Sequence, residues 1–230
     1  MRGSLPPTLI ALTFATGLVD ATAFLGLGGV FVGNMTGNVV FFGIALTGAG
    51  LAKTEATVVA LVAFAVGAAL AGRLRLLRSS KAVLVMRRML VVEIVIVAAA
   101  TIAAFSLGVG SDTDKLVVVG LLAVALGLQN ATVHALAIPD LTTTVVTQQL
   151  SGIGAEALDL EAARYRLARR TIALVAMFAG AIVAALLIRS SVELALAFAL
   201  GALFVSAGVF LVASRRDLTP QSRAPASPED

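Results

Sequence analysis

The chain contains no cysteine and no tryptophan, and it has only one histidine and one tyrosine in 230 residues. Without cysteine there can be no disulfide framework, no thiolate nucleophile and no thiol metal site. A single histidine excludes a His-rich metal cluster, and no serine accompanies it in a catalytic pattern. We therefore expect no enzymatic activity, no metal and no cofactor.

Charge is also scarce, because charged residues make up 13% of the chain and hydrophobic residues 59%, with a formal net charge of +4. The mean hydropathy is +1.02, which is far above that of an ordinary soluble domain. The basic residues lie in short loops beside apolar runs, without the interleaved aromatics of a nucleic-acid surface. The composition predicts a protein whose main partner is the lipid bilayer and excludes nucleic acid.

Apolar runs of about 20 residues, each long enough to cross a bilayer, recur along the chain. They predict an all-α, polytopic transmembrane helical bundle, because barrel strands would read as shorter alternating segments. The six predicted spans cover residues 5–25, 56–71, 89–107, 116–137, 171–188 and 192–213. Two shorter and more polar segments, 34–47 and 141–157, are predicted to be broken or re-entrant, and the proline-rich tail 214–230 to be disordered.

Internal similarity divides the chain into two units, predicted as residues 1–108 and 109–213. The sequence GLVDAT at 17–22 matches GLQNAT at 127–132, and ALVAFAVGA at 60–68 matches ALVAMFAGA at 173–181. Chance matches in apolar sequence are the competing explanation. Since each unit would contain three crossings, the second would enter the membrane from the opposite face, which predicts an inverted repeat.

Lysine and arginine set the expected orientation, because cytoplasmic loops carry an excess of them. With six crossings, one side holds 14 of the 17 basic residues. If both short segments also crossed, the division would fall to 10 against 7. We therefore predict six crossings in a bacterial inner membrane, with both termini in the cytoplasm.

A carboxylate inside the first span, Asp20, is the most informative single residue, because a buried charge needs a partner or must be neutralised. It is predicted to bind a proton, a cation or the substrate, and the alternative is a carboxyl that holds two helices together. The second unit has Asn130 at the equivalent position, with Gln129 beside it and His134 one turn further. Residues 130 and 134 share a helix face. If the two units meet around a shared axis, this pair is predicted to approach Asp20 at the centre.

Polar residues also mark the two short segments. Gly33 and Gly37 allow the chain to turn sharply. Asn34, Thr36 and Asn38 can satisfy backbone groups that an interrupted helix leaves unpaired. The corresponding polar residues of the second segment are Thr147, Gln148 and Gln149. Short helices there would direct their positive ends towards the centre and favour a polar or anionic solute, and the alternative is that these residues only pack close helix contacts.

Two further features are predicted to be structural. Glu93 follows Arg87 and Arg88 by little more than one turn, which predicts an ion pair at the membrane interface. Small residues four positions apart, Gly67 with Ala71 and Gly180 with Ala184, are predicted to be helix contacts.

The block GLVDATAFL followed by VFVGNMTGN, with GLQNA and TTTVVT in the second half, resembles the YoaK-type bacterial membrane proteins, a domain of unknown function. The resemblance extends from about residue 9 to residue 213. It implies a small bacterial inner-membrane protein and carries no substrate or activity. The two glutamines of TTVVTQQL are more polar than the family pattern leads us to expect.

The leading functional hypothesis is a transporter or channel for a small polar or anionic solute, with a pathway through a central site. The predicted pathway residues are Asp20, Asn34, Thr36, Asn38, Gln129, Asn130, His134, Thr147, Gln148 and Gln149. The alternative is a non-transporting scaffold or a subunit of a membrane complex, and a homo-oligomer is compatible with either.

Overall fold

A computed structural model describes residues 5–48, 53–76, 82–136 and 160–216. Within these residues the chain forms seven α-helices and no strand. They are α1 (Leu5–Gly26), α2 (Met35–Ala45), α3 (Thr54–Leu76), α4 (Ala82–Leu107), α5 (Asp112–Ala135), α6 (Leu160–Leu187) and α7 (Val192–Arg216). The predicted segment 141–157 lies outside the described residues.

All six predicted spans are confirmed as helices that are long and apolar enough to cross a membrane. Several begin earlier or end later than predicted. The helix α4 starts seven residues before position 89, and α7 continues to Arg216, three residues into the predicted tail. Arginine, leucine and alanine are good helix formers, so a helix need not end where its apolar run ends. The rest of the predicted tail lies outside the described residues.

Two helices, α1 and α5, form the centre of the bundle. In the most apolar window of each, 61% of the residues are buried, compared with 17–33% in the other four long helices. The helix α6 packs along α1, and α3 packs along α5. The core is completed by α4, which packs against α5, and by α7, which packs against α1. The helices α4 and α7 also contact each other. The closest partner of each central helix therefore comes from the other sequence unit, and the two units share one core.

Four glycines allow these helices to cross at backbone contact. A Cβ atom on Gly17 would overlap the carbonyl oxygen of Met177, and one on Gly180 would overlap that of Phe14. At the other crossing, a Cβ on Gly67 would overlap the carbonyl oxygen of Val124, and one on Gly127 would overlap that of Phe64. The first pair joins α1 to α6 and the second joins α3 to α5. The prediction that Gly67 and Gly180 mediate helix contacts is confirmed.

The predicted interfacial position of Glu93 is wrong. Glu93 is the twelfth of the 26 residues of α4 and is completely buried, whereas Arg87 and Arg88 are exposed. The prediction failed because the start of the helix was placed at Met89, which put Glu93 next to the membrane surface. The additional two turns before Met89 move it to the middle of the span.

Candidate functional site

The carboxylate of Asp20 holds the chain that follows α1. Its side chain is 3% exposed, and its Oδ1 atom accepts hydrogen bonds from the backbone N–H groups of Val32 at 2.9 Å and Gly33 at 2.6 Å. Hydrogen bonds to an ionised acceptor are about twice as strong as those between neutral groups. The second oxygen, Oδ2, is buried and has no hydrogen-bond partner among the described residues. Asp20 therefore fixes a non-helical stretch of backbone against the inner face of α1.

The side chain of Asn38 closes the same stretch from α2. It is completely buried, its Oδ1 accepts from the N–H of Phe31 at 3.0 Å, and its Nδ2 donates to the carbonyl oxygen of Phe31 at 2.6 Å. Asn38 thus satisfies both the backbone N–H and the carbonyl group of Phe31, as the backbone of a neighbouring β-strand would. The rings of Phe24, Phe31 and Phe41 stack beside it, with centroids 4.9 to 6.1 Å apart.

The segment between α1 and α2, residues 27–34, reaches deep into the bundle. At one end, Leu27 and Gly28 share a small crevice with Lys53, Asp112 and Leu116. At its other end, a Cβ on Gly33 would lie 2.9 Å from the Cδ1 atom of Leu126. Leu126 follows Leu116 by ten residues on α5, which corresponds to about 15 Å along the helix.

The short helix α2 brings the chain back towards the end of the bundle where Lys53 and Asp112 lie. It begins at Met35, beside the deep part of the segment, and the chain after it returns to Lys53, which forms an ion pair with Asp112 at the start of α5. Eleven residues of helix measure about 16 Å, roughly half of what a crossing requires. Residues 27–45 therefore enter the bundle and leave it on the same side, as the prediction of a short re-entrant segment requires.

The other predicted residues on the first segment differ in exposure. Asn34 is half-buried at the N-cap of α2, but its side chain does not cap the helix. Thr36 is exposed in the first turn of α2. Of the three polar residues predicted to satisfy interrupted backbone, Asn38 is the one that the structure shows doing so.

The polar residues of the second unit are placed along α5. Gln129 is completely buried, and its Nε2 donates to the hydroxyl oxygen of Thr16 on α1 at 3.0 Å. Its Oε1 atom is buried without a hydrogen-bond partner among the described residues. Asn130 is half-buried, and His134 is exposed in the last turn of α5. The hydrogen bonds that the structure gives Asp20 come from the loop amides and not from this pair.

Thr147, Gln148 and Gln149 lie outside the described residues, so their predicted role stays a prediction. Among the described residues, no group of histidine, aspartate and glutamate side chains is arranged to hold a metal ion.

Glu93 is a candidate site residue that the sequence pattern did not predict. Both of its carboxylate oxygens are buried without a hydrogen-bond partner among the described residues. The signal that could have found it is the helical spacing of the buried positions on α4, which are Met86, Met89, Leu90, Glu93, Val97, Ala100, Thr101 and Ala104. They recur every three or four residues and include Glu93 in the middle of the buried face.

Six helices that are long and apolar enough to cross a bilayer define a multi-pass α-helical membrane protein. A family model described as a protein of unknown function, DUF1275, matches residues 8–209, and the chain therefore belongs to this family. The resemblance to the YoaK-type proteins is thereby confirmed. No curated protein and no solved structure matches the chain.

Proposed function

We propose that the protein is a transporter or channel for a small polar or anionic solute, with its site between two inverted three-helix units. The observation that carries the proposal is the non-helical segment 27–34, whose deep end Asp20 and Asn38 hold close to Leu126. Irregular backbone at membrane depth is tolerated only where it is buried in protein or lines water. Helices interrupted in this way are typical of the binding sites of secondary transporters.

The helix contacts support the inverted arrangement. Gly17 and Gly127 occupy matched positions in the two sequence units, as do Gly67 and Gly180, and all four make the same kind of contact with a partner carbonyl. Between α1 and α5 the chain crosses the membrane through α3 and α4, while α2 returns to the side from which it came. Consecutive spans alternate in direction, so α1 and α5 run in opposite directions.

The orientation in the bacterial inner membrane follows from the basic residues, with both termini in the cytoplasm. The natural chain has no cysteine, so single cysteines can be introduced without background labelling. We expect a cysteine at exposed Thr113, in the first turn of α5, to react with an impermeant thiol reagent from outside intact cells. A cysteine at Ala168, exposed in α6, should react only after permeabilisation. The reverse pattern would contradict the orientation.

Water access to the re-entrant segment tests the transport proposal itself. Cysteines at Asn34 and Thr36 are expected to react with a water-soluble thiol reagent, because a solute pathway must be wet at its site. A cysteine at Val62 is the control, since Val62 lies in the apolar span of α3 and its side chain is 59% exposed. Equal and negligible labelling at all three positions would favour the non-transporting scaffold.

The same scan extends to residues 142–149. If the second short segment lines the pathway, cysteines there should be labelled in the same preparation. A substrate panel then follows by thermal shift, since a ligand that binds only the folded state raises its apparent stability by mass action.

A further inference from the structure

The carboxyl group of Glu93 lies at the middle of the membrane span. Eleven residues of α4 precede it and fourteen follow it, which places it about 17 Å from one end of the helix and about 21 Å from the other. A glutamate side chain is too short to reach the membrane surface over such a distance. Glu93 cannot place its charge in the headgroup region as a residue near a helix end does.

Glu93 also faces protein and not lipid. It belongs to the buried face of α4 with Met89 and Val97, whereas Val91 and Val95 on the opposite face are 56% and 62% exposed. The helices that pack extensively against α4 are α5 and α7, with a small contact from α3. The carboxyl group is therefore enclosed by these helices.

The charged and titratable residues of the surrounding helices lie near the helix ends. They are Asp112, Asp114, Lys115 and His134 on α5, Glu193, Arg215 and Arg216 on α7, and Glu55, Arg73 and Arg75 on α3. Toward the middle of these helices, the completely buried polar side chains are Gln129 on α5 and Ser206 on α7. The Ser206 hydroxyl donates to the carbonyl of Ala202 on its own helix, and Gln129 donates to Thr16. No described residue makes a hydrogen bond to the Glu93 carboxyl group.

Packing does not require a carboxyl group at this position. A shift of 110 residues aligns the buried face of α4 with that of α7, where Met86, Met89 and Ala100 correspond to the equally buried Leu196, Ala199 and Phe210. Under the same shift Glu93 corresponds to Leu203, which is 1% exposed. The second unit thus fills the equivalent position with an apolar side chain, so packing alone does not account for an acid in the first unit.

From this position we infer that Glu93 is a proton-binding site, neutral in the state described here, that binds and releases the coupling proton of the transport cycle. The inference rests on the proposed function. An ionised carboxylate without a partner is too costly at this depth, so the enclosed state holds the proton on a carboxyl oxygen. When the proton is released as H⁺, Glu93 becomes an ionised carboxylate. This step requires a second arrangement of the helices in which water or a cationic group reaches the carboxylate. Proton binding and helix rearrangement are thereby coupled.

Infrared difference spectroscopy of the purified protein in lipid tests the site without knowledge of the solute. We expect the carbonyl stretching band of a protonated carboxylic acid at neutral pH, and a complete loss of its Glu93 component in E93Q. The variant E55Q is the matched control, because Glu55 is exposed in the first turn of α3 and undergoes the same chemical change. An unchanged band in E93Q would overturn the proposal.

The same band reports whether the proton exchanges. Transfer into D₂O should shift it, and raising the pH should convert it into the carboxylate signal. A band that resists both, in protein that stays folded, would show a sealed structural acid and would also overturn the proposal. If E93Q does not fold, E93L provides the second variant, since Leu203 occupies the equivalent position. A dry re-entrant segment together with an exchanging Glu93 band would remove the transport proposal and the coupling role but leave the proton site.

Discussion

Replacing Gly127 with alanine is expected to destabilise the protein by about 3 kcal/mol or more, the upper range for overpacking a close contact. The added Cβ would overlap the carbonyl oxygen of Phe64, which is backbone and cannot move without separating α3 from α5. The cost therefore falls on the contact between α3 and α5, the most extensive helix contact among the described residues. The measurement is the fraction of monodisperse protein that remains after heating in mild detergent.

The controls for this prediction come from the same chain. Gly201 is an exposed glycine in α7 with no atom within 4 Å of an added Cβ, so G201A should be neutral or slightly stabilising. G17A should resemble G127A, because Gly17 makes the equivalent contact with the Met177 carbonyl. If G127A were as stable as G201A, the backbone crossing between α3 and α5 would be wrong.

Replacing Asp20 with alanine is expected to cost about 2–6 kcal/mol, because the N–H groups of Val32 and Gly33 would lose their acceptor, at about 1–3 kcal/mol each. Replacement with asparagine should cost less, since its amide oxygen can still accept both hydrogen bonds. D20N should therefore assemble normally while altering transport in reconstituted vesicles, because the charge beside the re-entrant segment is gone. Thermal unfolding of D20A and D20N measures the loss of stability, and flux through vesicles that contain D20N measures the effect on transport.

S206A is the control for burial of a polar group. Ser206 is also completely buried, but its hydroxyl bonds only a carbonyl of its own helix, so alanine leaves no orphaned N–H group. A D20A variant no less stable than S206A would show that the carboxylate does not hold the loop. Flux through D20N that equals that of the wild type at every pH would remove Asp20 from the proposed transport mechanism.

The sequence predicted the parts of the site whose partners are close along the chain. The sequence predicts that Asp20 needs a partner or must be neutralised, and that Asn38 can satisfy unpaired backbone groups. Both side chains bond backbone atoms within 13 residues of themselves. The pattern of glycine and amides around Gly33 and Asn38 indicated an interrupted helix, and the structure has one there. The exposed position of His134 was not predicted, because helical spacing fixes the angle between residues 130 and 134 but not which face of α5 the other helices cover.

The amino-acid sequence by itself determined that this is an α-helical membrane protein with six spans and an interrupted segment after the first, because span length and backbone hydrogen bonding in lipid depend on local composition. Only the tertiary structure decided that α1 crosses α6 and α5 crosses α3 at glycine backbones, and that Glu93 is enclosed at mid-membrane. Those outcomes depend on which surface of each helix contacts its neighbours. In an apolar sequence many helix surfaces are equally apolar, so packing and not hydropathy selects among them.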